Sequence, residues 1–158
     1  VPLKMFVLGV MLDDILSRAN VYFTPLSGGR YQLSRKREGA SRGYSGLDLE
    51  IYDAYSGGGR NVDTLSGGEL FLASLSLAFG LSDVVQSYSG GVRLESIFID
   101  EGFGTLDEET LNTAMKALFE IQKSGRTVGI ISHVAELKSR IPAQIRIIDD
   151  HKIKVVLP

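Results

Sequence analysis

Two short apolar runs separated by one amphipathic helix constrain this chain more than any other feature. Ser96-Ile97-Phe98-Ile99-Asp100 is β-branched and aromatic and ends in acid, the pattern of a central parallel strand whose C-terminal end opens on a site. Asp107 can cap a helix whose first turn carries Glu108 and Glu109, both favourable to its dipole. Leu111, Ala114, Met115, Leu118 and Ile121 line one face of that helix, and Gly125 is its natural stop. Residues 127 to 132 then read as a second buried strand. A strand, helix, strand unit of this kind crosses over right-handed, so the expected class is α/β, with flanking helices on a mixed sheet.

The rest of the chain sets bounds. Its 158 residues suit one domain, or a domain with a small subdomain. With 44% hydrophobic and 23% charged residues, a disordered, collagen-like or coiled-coil composition is excluded. Cysteine is absent, which rules out a disulfide framework, a thiolate metal site and a cysteine nucleophile; His133 and His151 are the only imidazoles. The net charge of −2 means that any nucleic-acid contact must come from a local patch. Apolar stretches are broken by Ser, Gly or Asp before roughly 20 residues, so no membrane-spanning helix and no membrane partner are expected. The first residue is Val1 with no signal pattern after it, as in a piece of a longer chain.

Met5, Leu8, Leu12, Ile15, Leu16 and Ala19 recur at helical spacing, with Asn20 as the expected stop. Alternation over residues 47 to 51 predicts a half-buried strand, paired in a hairpin or meander with residues 31 to 35. Three Tyr-Ser-Gly triplets, at Tyr44, Tyr55 and Tyr88, read as turns. Residues 70 to 81 carry no charge and predict a helix buried all round. A short helix over 135 to 140, a break at Pro142 and strands over 144 to 148 and 153 to 157 close the chain.

Two constellations could carry chemistry. Leu65-Ser66-Gly67-Gly68-Glu69 lies between a glycine-rich stretch and the apolar helix, which places a hydroxyl and two glycine amides at a helix N-terminus able to approach a phosphate; a plain glycine-rich cap fits the same five residues. Asp100 and Glu101 are adjacent carboxylates at a strand end. In phosphoryl chemistry the first such acid holds Mg²⁺ and the next orients or deprotonates an attacking water, whereas a solvated acidic turn is the bland alternative. Gly102-Phe103-Gly104-Thr105-Leu106-Asp107 follows directly, and Ser132-His133 ends the next strand at the same sheet edge.

In this order the four elements resemble those of ATP-binding-cassette ATPases: Leu65 to Glu69 is similar to the signature motif, Ile97 to Glu101 to the Walker B strand with its catalytic glutamate, Gly104 to Asp107 to the D-loop, and Ser132-His133 to the histidine switch. The wording from Asp100 to Asp107 resembles the bacterial SbcC branch of the SbcC/Rad50 family, and the resemblance runs on through Ile130-Ile131-Ser132-His133-Val134 to Pro142. It implies an ATPase subunit of a DNA-end-processing nuclease complex in a bacterial cytoplasm, using ATP and Mg²⁺. Asp100 would help hold the metal, Glu101 would polarise water and His133 would contact the γ-phosphate. Ser66, Gly67, Gly68 and Glu69 would serve the nucleotide of an opposing head, with Asp107 at that homodimer interface.

One motif is missing. A Walker A loop needs Gly-Lys before Ser or Thr, and none of the 18 glycines is followed by lysine. The resemblance therefore implies that residues 1 to 158 are the C-terminal lobe of a P-loop ATPase head, with the Walker A lobe beyond a long coiled coil. Some family members carry basic residues directly after the signature glutamate and further along its helix; here Leu70 follows, with no basic residue through Leu81. Arg30, Arg35, Lys36, Arg37 and Arg42 against Glu38 alone form a patch that could touch DNA phosphates; a solvated hairpin fits it too. An SbcD/Mre11-type nuclease is the implied partner. The alternatives are a non-catalytic DNA- or nuclease-binding module, and an acid/base hydrolase, which adjacent carboxylates serve poorly because they seldom face one substrate from opposite sides.

Overall fold

A computed structural model describes residues 3–36, 47–90, 93–149 and 152–158. Helix α1 (Leu3–Leu26) leads into an antiparallel meander of β1 (Tyr31–Arg35), β2 (Leu49–Asp53) and β3 (Gly58–Asn61). Helix α2 (Gly67–Tyr88) is followed by β4 (Ser96–Asp100), α3 (Glu108–Lys123) and β5 (Thr127–Ile131). The chain closes with α4 (Ala135–Arg140) and an antiparallel hairpin of β6 (Gln144–Asp149) and β7 (Lys152–Val156).

Asn20 does not stop α1. Its side-chain amide donates to the Leu33 carbonyl at 2.8 Å and accepts from the Leu33 N–H at 2.7 Å, so it pairs with the open edge of β1 as a neighbouring strand would. The helix continues to Leu26 and stacks buried Phe23 on Tyr31 with centroids 6.2 Å apart. Strand β2 begins two residues later than the alternation predicts. Strand β3 has no signal in the sequence, since Gly58-Gly59-Arg60-Asn61 has no β-branched or aromatic residue; its register with β2, Glu50 opposite Asn61, creates it. Tyr55 does sit in the turn between these strands, Tyr88 is instead the last residue of α2, and Tyr44 lies outside the described residues.

Helix α2 packs on α1, and their backbones meet at Gly80. A Cβ there would lie 2.6 Å from Ala19 N and 2.7 Å from the Ile15 carbonyl oxygen. Gly80→Ala is therefore expected to destabilise the protein by about 1–3 kcal/mol through overpacking, although alanine in an open helix would stabilise by about 1 kcal/mol. A urea midpoint at or above the parental value with an unchanged slope would show that the crossing opens freely. Leu72, Ala73, Leu75 and Phe79 are buried. The expected burial all round is not found, because Leu70 and Leu81 on the opposite side are 43% and 48% exposed. Contrary to the expectation from sequence, α2 is also long and apolar enough to cross a membrane by length and composition; its face against α1 is that of a core helix.

Strands β4 and β5 pair in parallel, Ser96 opposite Thr127 through Asp100 opposite Ile131, and all five predicted inward residues of α3 are buried. The strands themselves depart from the expectation. Among the described residues they form a two-stranded sheet separate from the meander and from the closing hairpin. Ile97 and Ile99 pack against the core, whereas Phe98 is 74% and Ile131 57% exposed. The helices cover one face of the sheet, so apolar residues at alternate positions point away from the core.

Candidate functional site

Ser66 is the N-cap of α2 in a reciprocal capping box: its N–H donates to Glu69 Oε2 at 2.8 Å, and the Glu69 N–H donates to Ser66 Oγ at 3.2 Å. The Gly67 and Gly68 amides belong to the first turn, where no intrahelical acceptor exists. Nothing lies within 4 Å of a Cβ placed at Gly67, which is exposed. Gly68 faces the start of α3, where a Cβ would lie 3.0 Å from Thr110 Cγ2. Burial works to raise the Glu69 carboxyl, but hydrogen bonds from Ser66 and from the Tyr31 hydroxyl outweigh it and hold it below the usual range.

The approach to Ser66 is held by residues that sequence reasoning missed or misread. Arg60 donates to Thr64 Oγ1 at 2.7 Å and to the Thr64 carbonyl at 2.8 Å, while its other terminal nitrogen reaches Asp53 at 2.9 Å. Arg30 adds two more hydrogen bonds to Asp53, at 3.2 and 3.0 Å. Those from Arg30 first, then the Tyr55 N–H and Arg60, bring the buried Asp53 carboxyl down to about 2 against the cost of burial. The Arg30 guanidinium also lies over the Tyr31 and Tyr55 rings at 4.7 and 4.9 Å. Arg30 is thus part of an ion-pair cluster behind the Ser66 turn, and Arg35 pairs with Asp13 at 2.8 Å; Arg37 and Arg42 of the expected basic patch lie outside the described residues. No local spacing signals this cluster, because Arg30, Asp53 and Arg60 come from three different segments.

Asp100 ends β4 and is exposed. The Glu101 N–H continues the pairing with β5 by donating to the Ile131 carbonyl at 2.9 Å. The backbone then leaves the sheet abruptly: Glu101 has φ +60° and Gly102 φ +92°. A left-handed glutamate is uncommon and is held only by its surroundings. Its carboxylate oxygens lie 3.2 and 3.0 Å from His133 Nδ1, so the two strand ends deliver a carboxylate and an imidazole to one point. Ser132 Oγ accepts from the Val134 N–H at 3.2 Å and shapes the turn that carries His133. Asp107 caps α3, with Thr110 N–H and Oγ1 each donating to its carboxylate at 2.9 Å. The backbone hydrogen bond from Thr110, followed by that from its hydroxyl, lowers the Asp107 carboxyl.

Among the described residues no group of three or more His, Cys, Asp or Glu could hold a metal ion. Asp100 and Glu101 are hard oxygen donors, which suit Mg²⁺ when waters and substrate phosphates complete its shell. They fit that ion as a partial ligand set.

The fold is similar to that of solved SMC head domains. The SMC head domain from Thermotoga maritima superposes with a TM-score of 0.60 at 15% identity, covering 98% of this chain and 51% of that one. A chain from a study of the "ATP-driven dimerization and DNA stimulated activation of SMC ATPases" gives 0.67 at 19% identity, covering 97% and 88%. The family model described as "SbcC/RAD50-like, Walker B motif" matches residues 41–120, and the chain belongs to that family. The SbcC subunit of nuclease SbcCD from Vibrio cholerae is 56% identical over 149 residues, which is 94% of this chain, and that from Staphylococcus haemolyticus is 58% identical over 140 residues, which is 89%. The chain spans about 15% of the length of these relatives.

Proposed function

We propose that this chain is the C-terminal lobe of an ATPase head, in the ATPase subunit of a nuclease complex that processes DNA double-strand ends. The observation that carries this reading is the meeting of Glu101 and His133 at 3.0–3.2 Å where β4 and β5 end, beside the helix that Ser66 caps. In the full-length protein a Walker A lobe would hold the triphosphate, and bound Mg²⁺ would neutralise its developing charge. Asp100 would hold that ion through its carboxylate. Glu101 would orient and deprotonate the attacking water, and His133, within reach of Glu101, would contact the γ-phosphate and report its presence. Ser66, Gly67 and Gly68 would donate to the γ-phosphate carried by a second head, with Glu69 fixing the serine through the capping box and Asp107 lying at the head interface. ATP would then be enclosed between two heads, and its binding would drive their closure.

The SbcCD name of the relatives supports a nuclease partner of the SbcD/Mre11 type; we further propose DNA as the substrate of the assembly and a bacterial cytoplasm as its place. Arg30 and Arg35 have carboxylate partners in Asp53 and Asp13, so the segment from 30 to 42 offers DNA phosphates less charge than its sequence implies. The half-site reading has a direct test. Residues 1 to 158 carry no phosphate-cradling lysine, and the contacts they do offer are too few to offset the ordering of a triphosphate. The isolated chain is expected to show no ATPase activity and no ATP binding by calorimetry at up to millimolar nucleotide, and addition of the Walker A lobe is expected to restore both. Saturable, Mg²⁺-dependent micromolar binding by the chain alone would overturn the half-site reading.

A further inference from the structure

We propose that Phe71 is a positioning residue that ties the first turns of α2 to the carboxylate of Glu101. The inference rests on the reading of Glu101 as the water-activating group and deepens it. Glu101 stands in a left-handed conformation that an L side chain adopts only where neighbouring contacts over-determine it. On one side the constraint is its N–H bond to the Ile131 carbonyl at 2.9 Å. On the other side it is Phe71. A Cβ at Gly102 would lie 2.7 Å from Phe71 Cε2 and 3.1 Å from Cδ2, so the ring rests directly against the backbone of the residue after Glu101. The next residue, Phe103, is buried and meets the same ring edge-on at a centroid distance of 4.9 Å.

Phe71 therefore touches both residues that follow the glutamate, from a position less than two turns into the helix that Ser66 caps. The backbone hydrogen bonds of an α-helix join residue i to residue i−4 without a break, so the Ser66 turn and Phe71 belong to one rigid element able to carry coupling. Gly68, packed on Thr110 at the cap of α3, gives a second contact that moves with it. A shift of the Ser66 turn on engaging an anion would thus be carried through the Phe71 ring to Gly102 and would set the angle at which Glu101 leaves the sheet. The benzyl ring has no polar atom to offer a nucleotide, so its influence runs through Glu101.

The test uses the full-length protein with Phe71→Ala, Phe71→Leu, Glu101→Gln and the Phe71→Ala/Glu101→Gln pair, comparing kcat, KM for ATP and ATP-driven dimerisation. Small misplacements of a reacting group cost large factors in rate, so Phe71→Ala is expected to lower kcat by about tenfold or more, with KM and dimerisation within about twofold of parental. Phe71→Leu, which keeps part of the wall against Gly102, is expected to lose about threefold. In the Glu101→Gln background the alanine change is expected to cost less than about twofold, because its effect is already removed. Parental kcat in Phe71→Ala, an undiminished loss in the Glu101→Gln background, or loss of dimerisation in step with kcat would overturn the proposal. Should Phe71→Ala fail to fold, the leucine variant and its Glu101→Gln pair carry the same comparison. A parental rate in Glu101→Gln alone would instead sink the assignment of Glu101, whatever Phe71 does.

Discussion

Glu101→Gln in the full-length protein is expected to bind ATP with parental affinity and to hydrolyse it about 10²–10⁴-fold more slowly, the range a positioned general base contributes. Gln keeps the size of the side chain and one hydrogen-bond acceptor but has neither the charge nor the basicity to take a proton from water. The surroundings of residue 101 favour a clean comparison. Its left-handed backbone and its N–H bond to Ile131 are independent of the side-chain terminus, and the side chain is half exposed, so the amide meets no burial cost. The interaction with His133 passes from a carboxylate to an amide oxygen, weakening it without emptying it. Heads carrying the variant are expected to remain closed on ATP in size-exclusion chromatography, since binding precedes the step that is lost. Steady-state turnover at the parental rate would remove Glu101 from the role of base.

Ser66→Arg is expected to abolish ATP-driven dimerisation of heads while leaving each head folded. Losing the serine cap costs about 1 kcal/mol of helix stability, small against the stability of a domain. At the head interface the change is much larger. On the proposed reading the serine hydroxyl and the glycine amides behind it would be the donors offered to a phosphate, and hydrogen bonds to charged groups contribute about 1.5–3 kcal/mol each. Losing two of them, with a bulky side chain in the open space beside Gly67, corresponds to a loss of about 10²-fold or more in the dimerisation constant. The effect is expected to act in trans. Heads carrying only Ser66→Arg, mixed with heads carrying only a Walker A defect, are expected to recover one working composite site of the two, measured as partial ATPase activity. No recovery in the mixture would mean that Ser66 acts on its own head's nucleotide.

The acidic half of the candidate site is readable because its residues follow the local backbone. Asp100 and Glu101 end an apolar run, Asp107 precedes a helix with acids in its first turn, and Ser66 precedes Glu69 by the three residues that a capping box needs. Those spacings are fixed by hydrogen bonds between near neighbours, so they appear in the sequence as they do in space. The inner face of α3 is legible for the same reason, since period 3.6 and burial coincide over its whole length.

Other features depend on partners far along the chain. Asn20 carries every mark of a helix stop, yet two hydrogen bonds to Leu33 outweigh its weak helix preference. Arg30 looks like part of a basic patch until Asp53 and Arg60 are brought beside it. Strand β3 exists because β2 offers an edge to pair with, against the propensity of its own residues. Phe71 is one apolar residue in an apolar helix, and only the approach of Gly102 distinguishes it. Charge-free residues 70 to 81 announce a core helix without saying which side is covered, because a helix apolar on every face has no pattern to orient it. Local hydrogen bonding and side-chain period decide most of the elements, their caps and the order of the acids, histidine and serine, so the residues in their linear order specify these. Packing decides the rest: that Glu101 meets His133, that the Ser66 helix leans through Phe71 on the backbone after Glu101, and that an arginine-carboxylate cluster stands behind the Ser66 turn. Each of those contacts joins segments that lie far apart along the chain and come within a few ångströms only once it has folded.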